Sequence, residues 1–483
     1  MAGDRRAGGN QREIFHAQNC SLYIEEGETV KVLLVRPKPH RETIGLQHVM
    51  ICEPLELEYL VSNIPDFIKK SIDIKIVDMI LEKISYESVL LKEKPDFILF
   101  TGYITHVGII KKLAEQAKGL LPEISTGAGG VHAEVVPKDF KCEYIDFVFD
   151  RNGIDGFNEA LKALLEGKSK SDIREMLKES GPKKYSFSYK HPAREAVSQY
   201  RKYYYYMFHK PCALIKTSFG CPYNCQFCFC REITDGKYFA RDVEDVIDEL
   251  EAIKEEEIYI VDDDFLYDAD RIGDFIAAIK ERNIRKKFLV YGRADFIVEN
   301  ESLLKEFKDC GLQAVIVGIE SIRSKDLHDY HKGTTKQVNE KCIGILKSMD
   351  IELYATLIIP LDFSKKDFRE LTAWLKALEV RFVNLQPLTP LPGTDIFDMY
   401  LPELLIRCED YHLWDMAHVA LKPKHMSISE FYLQLLASYY KVIMRPRHVA
   451  ALIKKYGIKA NIKMLIGSSF VSWQYLQKIW RGK

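Results

Sequence analysis

Short apolar runs alternate along this chain with stretches whose apolar residues fall three and four positions apart. Val32-Leu-Leu-Val35, Ile74–Asp78, Phe97–Phe100, Glu123–Thr126 and Phe147–Phe149 read as short buried strands. Arg36-Pro-Lys-Pro39 ends the first, Thr101-Gly102 the third, and Gly127-Ala-Gly-Gly130 the fourth. Helical spacing fills Pro54–Lys70, about Thr105–Leu120, and Gly156–Gly167. Strand and helix in alternation predict a doubly wound, Rossmann-like parallel sheet. The ligands of such sheets lie outside the carboxyl ends of the strands, where these glycines gather.

A second series starts at Ala213–Lys216 and continues with Glu257–Val261, Phe288–Tyr291, Ala314–Val317, Leu353–Ile358 and Phe382–Leu385. Six such units predict a partial (β/α)6 TIM-type barrel with its chemistry at the carboxyl ends of the strands. From about Pro402 the pattern is mainly helical. The α/β chain therefore divides into an extension (1–29), a first domain (30–170), a Lys-, Ser- and Tyr-rich linker (171–205), the barrel (206–400) and a helical C-terminal region (401–483). The aromatic run Tyr203–Tyr206 is expected to pack between domains rather than to touch a substrate.

Composition narrows the setting. Among 483 residues no apolar run approaches the length of a membrane span, and the polar start has no secretory apolar core. Eleven cysteines in such a chain fit a reducing, cytoplasmic compartment, with a few thiols committed to metal. The net charge of −1 hides an asymmetry: after Tyr440 there are ten Lys or Arg and no Asp or Glu. In 441–483 these cations interleave with Ile, Leu, Phe and two Trp, the signature of a segment lying peripherally on anionic lipid at the inner face of the membrane. A plain solvated face is the bland alternative; with no added RNA-binding domain, nucleic acid is not expected as a partner.

The sharpest chemistry lies in Cys221-Pro-Tyr-Asn-Cys225-Gln-Phe-Cys228. Structural zinc takes four N or S ligands, and electron-transfer clusters usually take four cysteines. Three thiolates from one loop suit a 4Fe–4S cluster with one iron left open. A zinc knuckle completed by Cys230 or Cys212 is the competing reading.

A cysteine loop after the first barrel strand, with Phe227 beside the third thiol, resembles the radical SAM superfamily. The resemblance implies that Cys221, Cys225 and Cys228 hold the cluster and that S-adenosyl-L-methionine (SAM) chelates the open iron. It further implies SAM contacts at Asp262, Asp263 and Asp264, with Asp264 favoured by position, at Arg293 for the carboxylate, and at Glu320 for the ribose. Three successive acids repel one another unless a cation sits there. A solvated turn would account for the acids too, and Arg293 and Glu320 also read as structural ion-pair residues.

The first domain resembles the cobalamin-binding domain that precedes the barrel in one branch of that superfamily. Pro54–Leu60, Thr101, Gly102, Gly129, Gly130, Val131 and His132 carry the likeness. The Asp-x-His-x-x-Gly motif that supplies a cobalt-ligating His is absent: His40 has Lys38 two positions before it, so His40 and His48 are expected to be loop or surface residues. Within the branch, Glu42–Pro54, Tyr203–Cys212, Asn384–Thr394 and Trp414–His418 resemble the hopanoid C-3 methylase group. That resemblance implies a radical SAM C-methyltransferase which moves a methyl group from methylcobalamin, recharged by SAM, to an unactivated carbon of a lipid or other small molecule. It also implies a reduced flavodoxin- or ferredoxin-type electron donor. Tetrapyrrole cyclases and peptide or natural-product methylases share the cofactors and stay open as alternatives. Two cofactors must face one cavity, so the barrel mouth is expected to abut the carboxyl edge of the first sheet.

Overall fold

A computed structural model describes residues 29–179 and 189–482. The first sheet holds β1 (Val30–Arg36), β2 (Ile72–Asp78), β3 (Phe97–Thr101), β4 (Ser125–Gly129) and β5 (Phe147–Val148), all parallel, in the order β2-β1-β3-β4-β5. This doubly wound order places its switch point, and hence its ligand crevice, between the carboxyl ends of β1 and β3. β3 is buried along its whole length because helices cover both faces. One face packs Leu57, Phe157 and Leu161 over Leu34, Phe97 and Leu99; the other packs Val107, Ile110 and Ala114 over Leu33, Ile98 and Phe100.

Two local expectations shift. The helix expected over Pro54–Lys70 is two helices, Leu55–Ser62 and Asp66–Lys69, because Pro65 cannot continue the hydrogen-bond ladder. The glycine run does not simply end β4: Gly127–Gly129 lie inside the strand, and a Cβ on Gly127 would stand 2.9 Å from the Phe149 ring. Ile173, Val197, Tyr200 and Tyr204, from the stretch expected to link the domains, pack into this first core.

The second sheet is β6 (Cys212–Ile215), β7 (Glu257–Ile260), β8 (Lys287–Gly292), β9 (Leu312–Glu320), β10 (Glu352–Ile359) and β11 (Phe382–Pro387). The strands are parallel and neighbours follow chain order, with no pairing between β6 and β11. It is an incomplete barrel. The edge strand β11 is covered by the helix Ile428–Ile443, whose Tyr439 hydroxyl accepts from the Leu385 amide at 2.8 Å.

Aromatic rings fill the barrel floor. Tyr206 lies 4.9 Å from Tyr259 and 5.8 Å from Tyr354, and Tyr354 stacks on Phe382 at 4.8 Å. Tyr204, by contrast, donates to Asp78 of β2 at 3.2 Å. The tyrosine run thus splits its side chains between the two cores, which is interdomain packing. From the far end the last helix, Pro446–Arg481, kinks at Gly457, where φ is +78°.

Candidate active site

The cysteine loop follows β6 at the barrel mouth. Gly220 opens it with φ +79°, and a Cβ there would stand 2.0 Å from the Lys237 carbonyl oxygen, so only glycine makes the turn. Replacing Gly220 by alanine is expected to destabilise the loop by ~1–3 kcal/mol, seen as a lower melting temperature and reduced iron retention after reconstitution. Cys221, Cys225 and Cys228 are half-buried. The Cys228 amide donates to the Cys225 carbonyl at 3.1 Å, and Gln226 N donates to Tyr330 O at 3.3 Å, which fixes the loop's shape. Burial, then Asp264, push the Cys221 thiol up to about 12, whereas a hydrogen bond from Cys230 holds Cys228 below the usual thiol range.

Among the described residues, the single His/Cys/Asp/Glu group with ligand atoms all within 4.8 Å of one another is His40, Glu42 and His412. The three loop thiols therefore do not close on one point as the ligands of a single ion do. A multi-iron cluster, each thiolate on its own iron, fits the wider spacing better than zinc.

The three acids after β7 differ sharply. Asp262 accepts from Thr217 N (2.6 Å), Thr217 Oγ1 (2.5 Å) and Ser218 Oγ (2.6 Å), tying β7 to β6. Asp263 accepts from Gly220 N at 2.9 Å and lies 3.4 Å from Lys216 Nζ, so it holds the base of the cysteine loop. Asp264 is 3% exposed, and neither of its oxygens has a partner. Burial, opposed by Arg293 and Lys332, pushes it up to about 8. A buried carboxyl without partners loses about 1–3 kcal/mol until something satisfies it. It marks a place for a cationic group beside Cys221.

Arg293 follows β8 with its fork on Asp295 (2.6 Å) and the Lys332 carbonyl (2.8 Å), and its guanidinium stacks 3.7 Å over Tyr223 of the cysteine loop. Glu320, at the end of β9, adopts φ +60° after a register shift and pairs with Lys332 Nζ at 3.0 Å. Gly318 makes the room: a Cβ there would stand 2.1 Å from Glu320 Oε1. Burial works against the Lys332 charge, but Glu320 and Cys225 outweigh it and raise its pKa. Burial raises the Cys225 thiol, and the Lys332 cation beside it opposes that rise. Lys332 gave no sequence signal; it is a lone lysine in a loop whose partner sits across a strand bulge.

Across from the mouth stands the β1/β3 crevice. Thr101 Oγ1 donates to Glu56 at 3.1 Å, and Arg36 is bound to Asp78 and to the Cys52 carbonyl. Gly130, at φ +99°, brings its backbone against Thr101 and Gly102, where a Cβ would meet Thr101 Oγ1 at 2.9 Å. Gly129 ends β4, and Val131 begins the short helix that follows. His132 is buried with Nε2 2.8 Å from Asp139, so it serves the packing of that helix.

Two residues stand at the crevice: Glu56, from the Pro54–Leu60 stretch that carries the cobalamin-domain likeness, and Tyr103, which sequence reasoning passed over. Tyr103 is 60% exposed, yet the protein mass around it and then Glu56 raise its pKa. The same holds for Glu56, an exposed carboxyl raised by the protein around it. Cys52 and Tyr291 of β8 lie within electrostatic reach of Tyr103, so the crevice faces the barrel. Its glycine-floored edge fits a broad flat cofactor; nearby, His106 packs against Gly102 and is held down to about 4 by burial and Arg36, while His48 stacks on Phe470 and His40 lies on His412. Beside the cysteine loop the lining is apolar, with Phe227, Tyr330, Ile358 and Leu388 packed together.

Residues 215–375 match the family described as the Radical SAM superfamily, and residues 51–160 match the B12 binding domain. Over 467 residues the chain is 26% identical to the hopanoid C-3 methylase of Methylococcus capsulatus, covering 94% of this chain and 87% of that protein. It is 24% identical over 400 residues to an anaerobic magnesium-protoporphyrin IX monomethyl ester cyclase of Rubrivivax gelatinosus, with 77% and 70% covered. The fold superposes with a TM-score of 0.63 at 15% identity on the radical S-adenosylmethionine methyltransferase TsrM from Kitasatospora setae, solved with cobalamin and a 4Fe–4S cluster, covering 92% of this chain and 99% of that one.

Proposed function

We propose that this chain, whose barrel matches the Radical SAM superfamily and whose preceding domain matches the B12 binding domain, methylates an unactivated carbon of a hopanoid-type polycyclic lipid. The observation that carries this reading is the facing of the two domains, with Tyr103 and the neighbouring Glu56 on the sheet side within electrostatic reach of Tyr291 on the barrel side. When bound, the cluster supplies an electron to the SAM sulfonium, and cobalamin carries the methyl group to be transferred.

The protein's own residues bind, orient and exclude water. Cys221, Cys225 and Cys228 hold the cluster, with Lys332 stabilising the Cys225 thiolate. Asp264 receives the SAM ammonium, while Arg293, Glu320 and the Asp263-anchored loop shape the rest of that pocket. Thr101, Gly102, Gly129 and Gly130 cradle cobalamin, and the apolar lining of Phe227, Tyr330, Ile358 and Leu388 suits a hydrocarbon substrate. An external reductant of the flavodoxin or ferredoxin type feeds the cluster.

Asp264→Asn keeps the shape but removes the charge. It is expected to weaken SAM binding about 10- to 100-fold, measured by equilibrium dialysis, with the iron content unchanged. The reaction itself is tested by anaerobic turnover of the reconstituted enzyme with methyl-labelled SAM and a hopanoid. The expected product is heavier by one labelled methyl group in place of hydrogen; turnover of SAM with no label in the lipid contradicts the reading. The cyclase relative supports a second reading, ring-closing oxidation of a tetrapyrrole, in which no product carries the label.

A further inference from the structure

The last helix docks on the body by one face and leaves another bare. Gly467 seats against the His48 carbonyl, where a Cβ would stand only 2.1 Å away, Tyr475 is buried, and Gln474 donates to the Thr43 carbonyl at 2.9 Å. Beyond the Gly457 kink, Ile458, Ile462, Leu465, Phe470, Trp473 and Trp480 recur at helical spacing, all strongly exposed, from 49% for Trp473 to 73% for Trp480. Isolated exposed apolar residues are ordinary; a continuous stripe ending in two tryptophans is not.

Beside this stripe, at the amino-terminal end of the barrel, lies a cavity of about 220 Å³ lined by Lys210, Lys459 and Lys463 over Tyr205, Phe208 and Met464. Lys463 Nζ stands 3.7 Å from the centre of the Tyr205 ring, and Lys210 Nζ lies 5.6 Å from the same ring. Among the described residues no carboxylate forms a salt bridge with any of the three lysines. Burial and the neighbouring Lys210 ammonium pull Lys463 down to about 8. Three crowded cations around one cavity call for an anion. The whole segment after Tyr440 adds ten basic residues and no acidic one.

We propose that this face docks on an anionic phospholipid bilayer, with Lys210, Lys459 and Lys463 receiving lipid phosphate and the apolar stripe entering the interfacial layer. The charge selects an acidic surface, and the adjoining hydrocarbon stripe selects a bilayer over a soluble polyanion. The inference stands apart from the methyl-transfer reading, since it concerns the end of the barrel opposite the cysteine loop.

Flotation of the full-length reconstituted protein with phosphatidylglycerol-containing vesicles tests it, with pure phosphatidylcholine vesicles as reference. Binding to the anionic vesicles, weakened by salt and absent from the neutral ones, is expected. Lys459→Gln with Lys463→Gln should weaken it about 30-fold, and Trp473→Ser with Trp480→Ser should abolish it, while melting temperature and iron content stay at wild-type values. Equal binding to neutral vesicles, or undiminished binding by both variants, overturns the proposal. So does abolition of flotation by inorganic phosphate at an ionic strength where sodium chloride leaves it intact, which would make the cavity a free-anion site. A dimer in light scattering that the tryptophan variant converts to monomer would assign the stripe to a second copy of the chain and overturn it too.

Discussion

Replacing Cys221, Cys225 or Cys228 singly by alanine is expected to abolish product formation and to strip most iron from anaerobically reconstituted protein. The three thiols sit on one loop whose shape is set elsewhere, by Gly220, by Asp263 and by the Tyr330 carbonyl. With these thiols as the proposed ligands, loss of one would leave the cluster only two protein ligands and a second iron uncovered. Cys230→Ala separates the alternatives. If Cys230 were a fourth ligand, its removal would be as damaging as the others; in this account it lowers the Cys228 pKa by a hydrogen bond, and iron content should hold. Iron and sulfide analysis of the four variants reads the difference.

Glu53→Ala should be the most damaging change away from the cofactors. Glu53 is 3% exposed and accepts from Arg194 at 2.7 Å, Arg201 at 2.8 Å and the Leu214 amide at 2.5 Å. Arg194 also reaches Glu249, and Arg201 reaches Glu255, so this one carboxylate ties the first domain, the connecting turns and the barrel together. Removing it leaves guanidinium charge under-compensated in a buried site, at a cost of about 3–5 kcal/mol. The denaturant midpoint should fall accordingly. Because Glu53 leads into the helix that carries Glu56, cobalamin retention should fall as well. Glu53→Gln, which preserves shape and one hydrogen-bond acceptor, should lose less.

What the sequence made legible follows from where the information lies. Ten of the eleven principal strands carry apolar runs because parallel strands under helices are buried on both faces, the exception being the glycine-rich Ser125–Gly129, and the alternation of strand and helix gave the fold class without the order of the first sheet. The cysteine loop was legible because its three thiols lie close together in one segment. Asp262, Asp263 and Asp264 were found as a group but not told apart, since their roles depend on Thr217, Ser218 and Gly220, more than forty residues earlier. Lys332 was invisible for a similar reason: its partner Glu320 is brought to it by a bulge that spacing does not encode. Glu56 lay within the Pro54–Leu60 stretch that carried the cobalamin-domain likeness but was not singled out, and Tyr103 gave no signal at all; only the barrel, which brings Tyr291 within electrostatic reach of Tyr103, gives that surface its setting.

The most direct measurement is the electron paramagnetic resonance spectrum of the anaerobically reduced protein, taken before and after addition of SAM. An open iron held in a three-thiolate loop beside an unsatisfied Asp264 predicts a reduced 4Fe–4S signal that changes when SAM binds, with the change weakened in Asp264→Asn. Zinc in place of iron, or a cluster signal indifferent to SAM, would contradict the account.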